Sequence, residues 1–287
     1  MDSPMVRRPC PRWTAALGVI AVAVAAAIAA VFVPTASAGS GTKPIEPASV
    51  LPLDRIAPEH REQVSEVIRD HTLHRKAAPE TFPCNARVYL CLLNEPAVTL
   101  ALWKDLSDSK VKLHQISPNR FEGNDGAGAS AVWEFVHRSP KLHVLLCNLS
   151  YVSPRGAARL EARIVLLVHS GFYREVNGDP WVQHDVEAFV KIDSLGWKAV
   201  ARTVRPVVEK LLEDQVREAG WFVSLMGRLV AMYPSWACQV TMNQGDVATE
   251  TRAKFRDVVV QTRRPGAFPG RPSLAENAPP NPSTRTR

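Results

Sequence analysis

The sequence lacks the short motifs that identify common catalytic and nucleotide-binding sites. It contains no H-E-x-x-H, no G-x-S-x-G and no G-x-x-x-x-G-K-[ST]. The glycine-rich residues 123–128 do not match G-x-G-x-x-G after a buried strand, so we interpret them as a hairpin loop in which Asp125 has a turn role. The motifs therefore give no support to a zinc protease, an α/β-hydrolase, a P-loop enzyme or a dinucleotide-binding domain.

The body of the chain also lacks an excess of positive charge. The whole chain has a net charge of +7, but residues 1–38 hold +2 and residues 252–287 hold +6, which leaves about −1 for residues 39–251. A nucleic-acid-binding face requires Lys and Arg clustered on the folded domain. We therefore expect no nucleic-acid partner.

Cysteine is scarce, with 5 in 287 residues. Cys84 and Cys91 lie in one predicted helix, about 10 Å apart along its axis at ~1.5 Å per residue, which exceeds the ~7 Å Cα limit for a disulfide unless the helix begins after Cys84. Cys147 falls in the middle of a predicted strand, and Cys238 follows the last long helix. The disulfide state stays open, because an exported protein meets oxidising conditions.

One apolar run stands near the beginning of the sequence. Three arginines precede the uninterrupted apolar residues 15–33, and an A-x-A sequence at 36–38 follows. This order is typical of a secretory signal peptide cleaved before Gly39. Because the run approaches the ~20 residues that span a bilayer, a retained membrane anchor is the alternative. Both interpretations place the body outside the cytoplasm, in the periplasm or cell envelope.

The segment between this run and the first strands is predicted to be a linker followed by helices. Residues 39–56 are rich in Gly, Ser and Pro and are predicted to form the linker. Three amphipathic helices are then predicted, each with a proline near its start, at 57–70, 83–93 and 94–106. A weak extended segment, 71–81, lies between the first two helices.

From residue 110 the apolar period changes to two, which predicts strands. After a strand around Val111 and Leu113, the strands are predicted at 120–122, 130–137, 142–151, 159–173 and 181–192. Asn177-Gly178-Asp179 is a strong signal for the last hairpin. The sequence therefore predicts an antiparallel meander.

Centring the last hairpin on Gly178 predicts the register of the sheet. Leu166 then meets Val190, and Leu146 meets both Ile164 and Trp133. The predicted dry face consists of Trp133, Phe135, Val144, Leu146, Ile164, Leu166, Val168, Val186, Ala188 and Val190. The predicted wet face carries Glu134, His143, Glu161, Arg163, His169, Asp185, Glu187 and Lys191, with His169 opposite Glu187.

A long amphipathic helix is predicted after the sheet. From Asp193 to Tyr233 apolar residues, Met226 among them, recur every three or four positions, and Pro206 predicts a kink or restart. Such a helix can cover the dry face of the sheet. Residues 247–261 predict one more short element at most, within a mostly disordered, basic and Pro-rich tail from 241 to 287.

The order of these elements resembles the START-like helix-grip superfamily, which includes lipid-transfer domains and polyketide-cyclase-like proteins. Residues 82–96 are similar to the usual opening of that group, with Pro83, Val88-Tyr89, Leu92 or Leu93, Asn94 and Pro96. The resemblance covers about residues 70–233. It implies an α+β helix-grip fold, an antiparallel meander wrapped around the long helix, as one domain over 57–240.

The resemblance further implies a cavity for an apolar small molecule or lipid, and it does not imply catalysis or a cofactor. The residues expected to bind such a ligand are Trp133, Phe135, Leu146, Leu166, His184, Val190 and Met226. The first functional hypothesis is thus an exported, non-catalytic binding protein. The alternatives are an enzyme of the same fold that uses His184, and an envelope interaction module whose core is filled.

His184 is the one candidate catalytic residue, because it falls on the otherwise apolar face near Phe172. Asn148, Ser150 and His137 are predicted on the same face near strand ends. His71 and His74 form an H-x-x-H pair, but no acid is spaced as a third ligand, so no metal site is expected.

Overall fold

The computed structural model describes five stretches of the chain, residues 45–107, 109–126, 128–152, 159–193 and 221–262. The predicted signal or anchor at 1–38 lies outside them, as do the predicted kink at Pro206 and residues 263–287. Within the described stretches, no helix has the length and apolar character needed to cross a membrane.

Seven α-helices and a short 3-10 helix are described. The helices are α1 Pro47–Val50, α2 Pro58–Arg69, α3 Ala86–Asn94, α4 Pro96–Leu106, α5 221–232, α6 Pro234–Asn243 and α7 Thr249–Thr262, and the 3-10 helix is Leu53–Arg55. Proline at the first position fixes the starts of α2 and α4. The Asn85 side chain caps α3 by accepting a hydrogen bond from the Arg87 amide at 2.9 Å. The three helices predicted before the sheet are confirmed, with α3 beginning after Cys84.

Eight antiparallel strands form one sheet. They are β1 Leu73–Lys76, β2 Glu80–Pro83, β3 Lys112–Ser117, β4 Arg120–Asn124, β5 Ala129–Arg138, β6 Leu142–Val152, β7 Arg159–Arg174 and β8 Pro180–Ile192. The strand order is β1-β8-β7-β6-β5-β4-β3, and β2 also pairs with β8. The predicted meander is confirmed, and the weak segment 71–81 supplies two short strands at its edge.

The last hairpin keeps the predicted faces, although its register differs by two residues. Leu166 pairs with Ala188 and Ile164 pairs with Val190. The turn places Gly178 at φ +83°, and the Gly178 amide donates to the Glu175 carbonyl at 2.8 Å. A shift of two residues leaves every side chain on its predicted face, because the side-chain period of a strand is two.

Strand β6 differs from the prediction by one residue, which reverses its faces. Leu146 pairs with Val165, while Cys147 pairs with both Ile164 and Trp133. The prediction that Leu146 and Val144 lie on the ligand face is therefore wrong. The stretch from Leu142 to Cys147 is apolar except at His143, so alternation could not determine its register.

Both faces of the sheet are buried, so the prediction of one wet face is wrong over the middle of the sheet. On the outer face, Val144, Leu146, Val165, Leu167 and Phe189 pack with residues of α2 and of the segment before it. The residues that cover them are Leu51, Ile56, Val64, Val67 and Ile68. Residues 45–56 therefore pack on the domain, where a linker was predicted.

The C-terminal boundary also differs from the predicted one. Helix α7 packs against α3 and α6, with Phe255 and Val259 buried in the inner core. Lys254 on α7 forms an ion pair with Glu95 at 2.6 Å. The short element predicted at 247–261 is present as α7, whereas the disorder predicted from residue 241 is wrong for residues 241–262.

An ion-pair network joins α2 to the outer face of the sheet. Glu66 receives hydrogen bonds from Arg163 at 2.6 and 3.1 Å and from Lys191 at 2.6 Å. Arg163 also donates two hydrogen bonds to Asp193, each of 2.9 Å. Hydrogen bonds from Arg163 and Lys191 lower the pKa of Glu66 from its usual 4.5 to about 2.

Glu66→Gln tests whether this network stabilises the fold. The Glu66 side chain is 34 % exposed, so solvent screening limits the expected loss in the free energy of unfolding at neutral pH to about 1 kcal/mol. A carboxylate with a lowered pKa stabilises the fold above pH 4.5, and that contribution disappears as the pH falls from 4.5 to about 2. Urea unfolding at several pH values measures the difference.

Glu62→Gln is the matched control, because Glu62 lies on the exposed side of the same helix. We expect it to change stability by less than about 0.5 kcal/mol. An equal loss in both variants, or a Glu66 effect that persists at pH 2, would contradict a role for the network.

Candidate ligand-binding site

The predicted ligand residues come together on the inner face of the sheet, with one exception. Trp133, Phe135, Leu166 and Val190 share one apolar cluster with Met226 of α5, and each is less than 5 % exposed. Leu146 is the exception, because it faces α2 on the outer side. Cys147, which occupies the inner position beside Trp133, was not predicted to face the ligand.

Helix α5 packs closely on one end of this interior. A Cβ atom built on Gly227 would lie 3.0 Å from Cε2 of Phe82 and 3.1 Å from Sγ of Cys84. Phe222 meets Trp103 of α4 edge-to-face, with ring centroids 5.1 Å apart. The absence of a side chain at 227 therefore permits the close approach of α5 to the segment that leads into α3.

Two indole N–H groups are buried in this apolar interior. The Trp133 ring stacks on Phe121 with centroids 5.9 Å apart and lies against Gly123, where an added Cβ would come 3.1 Å from its ring atoms. Nε1 of Trp133 and Nε1 of Trp103 have no hydrogen-bond acceptor in the part of the chain that the structure describes. A buried donor without an acceptor costs about 1–3 kcal/mol. Each N–H group thus retains the capacity to donate one hydrogen bond.

His184 lies at one end of the interior, as predicted, but its neighbours differ from the prediction. It pairs across the sheet with Ser170, whereas Phe172 pairs with Val182. Its ring lies between Phe82 and Tyr89, with centroid distances of 5.2 and 5.8 Å. His184 is 2 % exposed, so it belongs to the buried interior of the domain.

The hydroxyl groups of Tyr89 and Ser170 are 2.8 Å apart beside His184. Burial raises the pKa of Tyr89 far above its usual value. Tyr89 therefore stays a neutral phenol at physiological pH, able to donate or accept a hydrogen bond but not to act as a phenolate base. Sequence reasoning used Tyr89 only as part of a motif and did not identify Ser170.

A second polar group, His143, lies near the same end of the sheet. Its Nε2 is 3.2 Å from Oδ1 of Asn94, at the junction of α3 and α4. Burial lowers the pKa of His143 to about 4, with Arg138 and His137 adding to the shift. The prediction that His143 lies on a wet face is wrong, because the one-residue shift of β6 turns it inward.

The remaining candidates do not join this site. Asn148 is exposed and Ser150 half-buried on the outer face of β6, so their predicted inner position is wrong. Asp125 has the predicted turn role, because Oδ1 accepts a hydrogen bond from the Ala129 amide at 3.0 Å. His137 follows a β-bulge between positions 135 and 137 and also lies apart from the interior.

The H-x-x-H pair serves other contacts. His71 Nδ1 forms a hydrogen bond with the Ile68 carbonyl at 2.7 Å, and His74 Nε2 forms one with Glu187 at 2.7 Å. The partner predicted for Glu187 was His169. The described residues contain no group of three or more side chains suited to a metal ion. His169 pairs with Asp185 instead.

The thiols near the interior are in an apolar setting. Burial raises the pKa of Cys84 to about 12 and that of Cys91 to about 11, and it raises the pKa of Cys147 further. These thiols are therefore protonated at neutral pH and unsuited to nucleophilic attack. The arrangement as a whole presents apolar side chains together with a few groups that can form hydrogen bonds.

Comparisons with known proteins find similar folds among solved structures. A START superfamily protein from Mycobacterium smegmatis is 9% identical (TM-score 0.32) over 55% of this chain and 98% of its own. A conserved protein from Geobacillus kaustophilus is 13% identical (0.33) over 53% and 96%, and Ara h 8.0201 is 12% identical (0.27) over 50% and 96%. No family model and no curated protein matches.

The predicted α+β helix-grip class is confirmed at the level of fold. It follows from the topology of this chain: an antiparallel meander, two short helices between β2 and β3, and a C-terminal helix in the inner core.

Gly227→Val tests the close approach of α5. The new side chain would overlap Phe82 and Cys84, which are both buried, so we expect the free energy of unfolding to fall by about 1–3 kcal/mol. Gly245→Val is the control, because a Cβ at 245 would meet nothing within 4 Å. Equal urea midpoints for the two variants would show that α5 does not pack in this way.

His143→Gln tests the buried neutral imidazole. Because its folded pKa of about 4 lies below the usual 6.5, neutral His143 stabilises the fold above pH 6.5, and this contribution is lost as the pH falls from 6.5 to about 4. We expect the glutamine variant to lose less stability over that interval than the unmodified protein. His114→Gln is the control, because His114 is exposed. If NMR shows that the His143 ring titrates near pH 6.5, the expectation is contradicted.

Proposed function

We propose that the protein binds an apolar small molecule or lipid between the inner face of the sheet and α5. The observation that carries the proposal is the pair of indole N–H groups, of Trp103 and Trp133, which are buried among apolar side chains without an acceptor in the described residues. A guest molecule with one or two carbonyl, ether or hydroxyl oxygens supplies the acceptors. The remaining surface of the guest molecule contacts the apolar side chains of the interior.

The distribution of polarity supports the same proposal. Leu166 and Val190 lie in the middle of the inner face, and the polar groups His184, Tyr89 and Ser170 are at one end. A mostly apolar site with a few convergent polar groups is typical of small-molecule binding. Because the inner residues are closed from solvent, a guest enters only when α5 or a neighbouring segment moves away from the sheet.

An enzyme that uses His184 is the second candidate. It is favoured by the convergence of the buried His184 ring with the hydroxyl groups of Tyr89 and Ser170. In that case a guest oxygen would bond the Tyr89 hydroxyl, and His184 would exchange a proton with it. His184→Gln distinguishes the two candidates: binding without turnover in either protein favours a carrier, whereas turnover lost only in the variant favours an enzyme.

We further propose that the protein works outside the cytoplasm, released or held at the membrane. The support is the sequence alone: the apolar residues 15–33 after three arginines, and the A-x-A sequence at 36–38. The intact mass of the purified protein distinguishes cleavage before Gly39 from a retained anchor, and a full-length protein confined to the cytoplasm would contradict both.

The binding experiment is native mass spectrometry with solvent extraction of the full chain expressed for export. We expect an apolar molecule to copurify and to be lost in Ala188→Trp and Val190→Trp, since both residues face the interior and are fully buried. Phe189→Trp is the matched control, because Phe189 lies between them in the same strand and faces α2. It should keep the bound mass.

A second measurement guards against misfolding of the variants. Adding the extracted molecule back to the stripped, unmodified protein should raise its melting temperature, as a ligand specific to the folded state does. A clean unliganded mass, with no response to an apolar fluorescent probe, would contradict the binding proposal and favour an interaction module with a filled core.

A further inference from the structure

A depression lies where the N-terminal segment crosses the end of β5, and it shares Phe135 with the apolar interior. Its volume is about 550 Å³, and it is open to solvent on one side. The residues that line it are Asp54, Arg55, Ile56, Ala57, Pro58, Arg61, Asn119, Phe135, Val136, His137 and Arg138. Three arginines and one aspartate give this surface an excess of positive charge.

Arg138 carries a charge that is only partly compensated by its surroundings. Its guanidinium lies over the Phe135 ring, 3.9 Å from the centroid, and donates to the Pro118 carbonyl at 3.3 Å. Within the described residues it forms no ion pair, and its buried Nε has no hydrogen-bond partner. Burial lowers the pKa of Arg138, and the negative charge of Glu95 offsets only part of that shift. Arg138 is half-buried, and a partly desolvated charge without an ion pair favours an anion beside it.

His137 adds a second nitrogen beside Arg138. Its Nδ1 is 3.3 Å from the Arg55 carbonyl oxygen, so the ring proton belongs on Nδ1 in the neutral form. Its Nε2 is buried without a partner in the described residues. In the neutral form Nε2 can accept a hydrogen bond from the O–H group of a monoprotonated oxyanion.

The N-terminal segment contributes the opposite wall. Arg61 donates to the carbonyls of Asp54 at 2.8 Å and Ile56 at 2.7 Å, which fixes the 3-10 turn against α2. Arg55 lies on this turn with an exposed side chain, and no hydrogen bond or ion pair occupies its guanidinium in the described structure. Arg55 and Arg138 thus face one depression from two different parts of the chain.

The size of the depression leaves room for an anion larger than phosphate. A space of about 550 Å³ exceeds what a lone phosphate fills, and its floor and walls include the apolar side chains of Ile56, Pro58, Phe135 and Val136. Arginine pairs bind phosphate oxygens by parallel N–H···O bonds, and a ring beneath one guanidinium keeps its edge toward the anion.

We propose that this depression binds a phosphate ester, with the phosphate oxygens on Arg138, Arg55 and His137 and the organic group against Phe135 and Val136. The shared chemistry is a phosphate carried by an organic group, whether a soluble ester or a phospholipid head group. This site shares Phe135 with the proposed apolar site, but its polar contacts come from Arg55, His137 and Arg138, which lie outside that interior and are tested separately from it.

The experiment titrates the full chain by calorimetry with inorganic phosphate and with phenyl phosphate, and by sedimentation with vesicles. The vesicles contain phosphatidylcholine alone or with a quarter phosphatidic acid. We expect phenyl phosphate to bind more tightly than inorganic phosphate. Arg138→Gln and Arg55→Gln should each weaken that binding by about tenfold, the effect of losing a charge-assisted hydrogen bond.

Arg87→Gln is the matched control, because Arg87 is exposed on α3 and is far along the chain from the depression. It should leave binding within about twofold, the scatter of a surface change. If Arg138→Gln lowers the melting temperature, weaker binding by that variant could reflect misfolding. The Arg55→Gln variant then decides the result, because Arg55 is exposed and its substitution removes no internal contact.

Each outcome bears on the proposal. Phenyl phosphate binding that both variants weaken supports a soluble ester, and sedimentation only with phosphatidic acid, lost in the same variants, supports a lipid head group. Equal affinity for inorganic and phenyl phosphate overturns the role of the apolar wall. No binding to any probe, or binding unchanged in both variants, overturns the site.

Discussion

The burial of both faces of one antiparallel sheet is the constraint on which the rest of the structure depends. Antiparallel sheets commonly leave one face in water, but the central strands here carry apolar residues on both sides, as Leu146, Val165 and Phe189 show on the outer face. Helix α2 must therefore cover that face. Charged residues at its border, Glu66 and Arg163, hold the helix in place without entering the apolar layer. The N-terminal segment before α2 is thereby positioned to form one wall of the depression at the end of β5.

The sequence predicts the elements of this fold better than it predicts their pairing. Proline at helix starts and the change of period near residue 110 are local signals, and the helices before the sheet and the strands of the meander follow them closely. The register of β6 is not a local property, because apolar residues at consecutive positions fit either face. The packing of α7 was missed for a related reason: it buries only Phe255 and Val259, too few to show a period.

The candidate site, like the fold, could be predicted from the sequence only in part. Alternation places Trp133, Phe135, Leu166 and Val190 on the inner face, and helical spacing places Met226 opposite them. Pairs such as Tyr89 with Ser170 join residues far apart in the chain, so no spacing rule could find them. Whether a buried N–H has an acceptor depends on three-dimensional packing alone.

Strand β8 has a consequence for the way the chain acquires its structure. It pairs on one side with β7 and on the other with β1 and β2, and the partners Leu73 and Val190 are separated by more than a hundred residues. Synthesis delivers β1 and β2 long before β8, so the edge of the sheet closes late, and contacts of such sequence separation slow folding. Until then the strand-forming residues around Leu73 and Phe82 have no backbone partners. Strand-forming residues that are unpaired at this stage favour association with other chains.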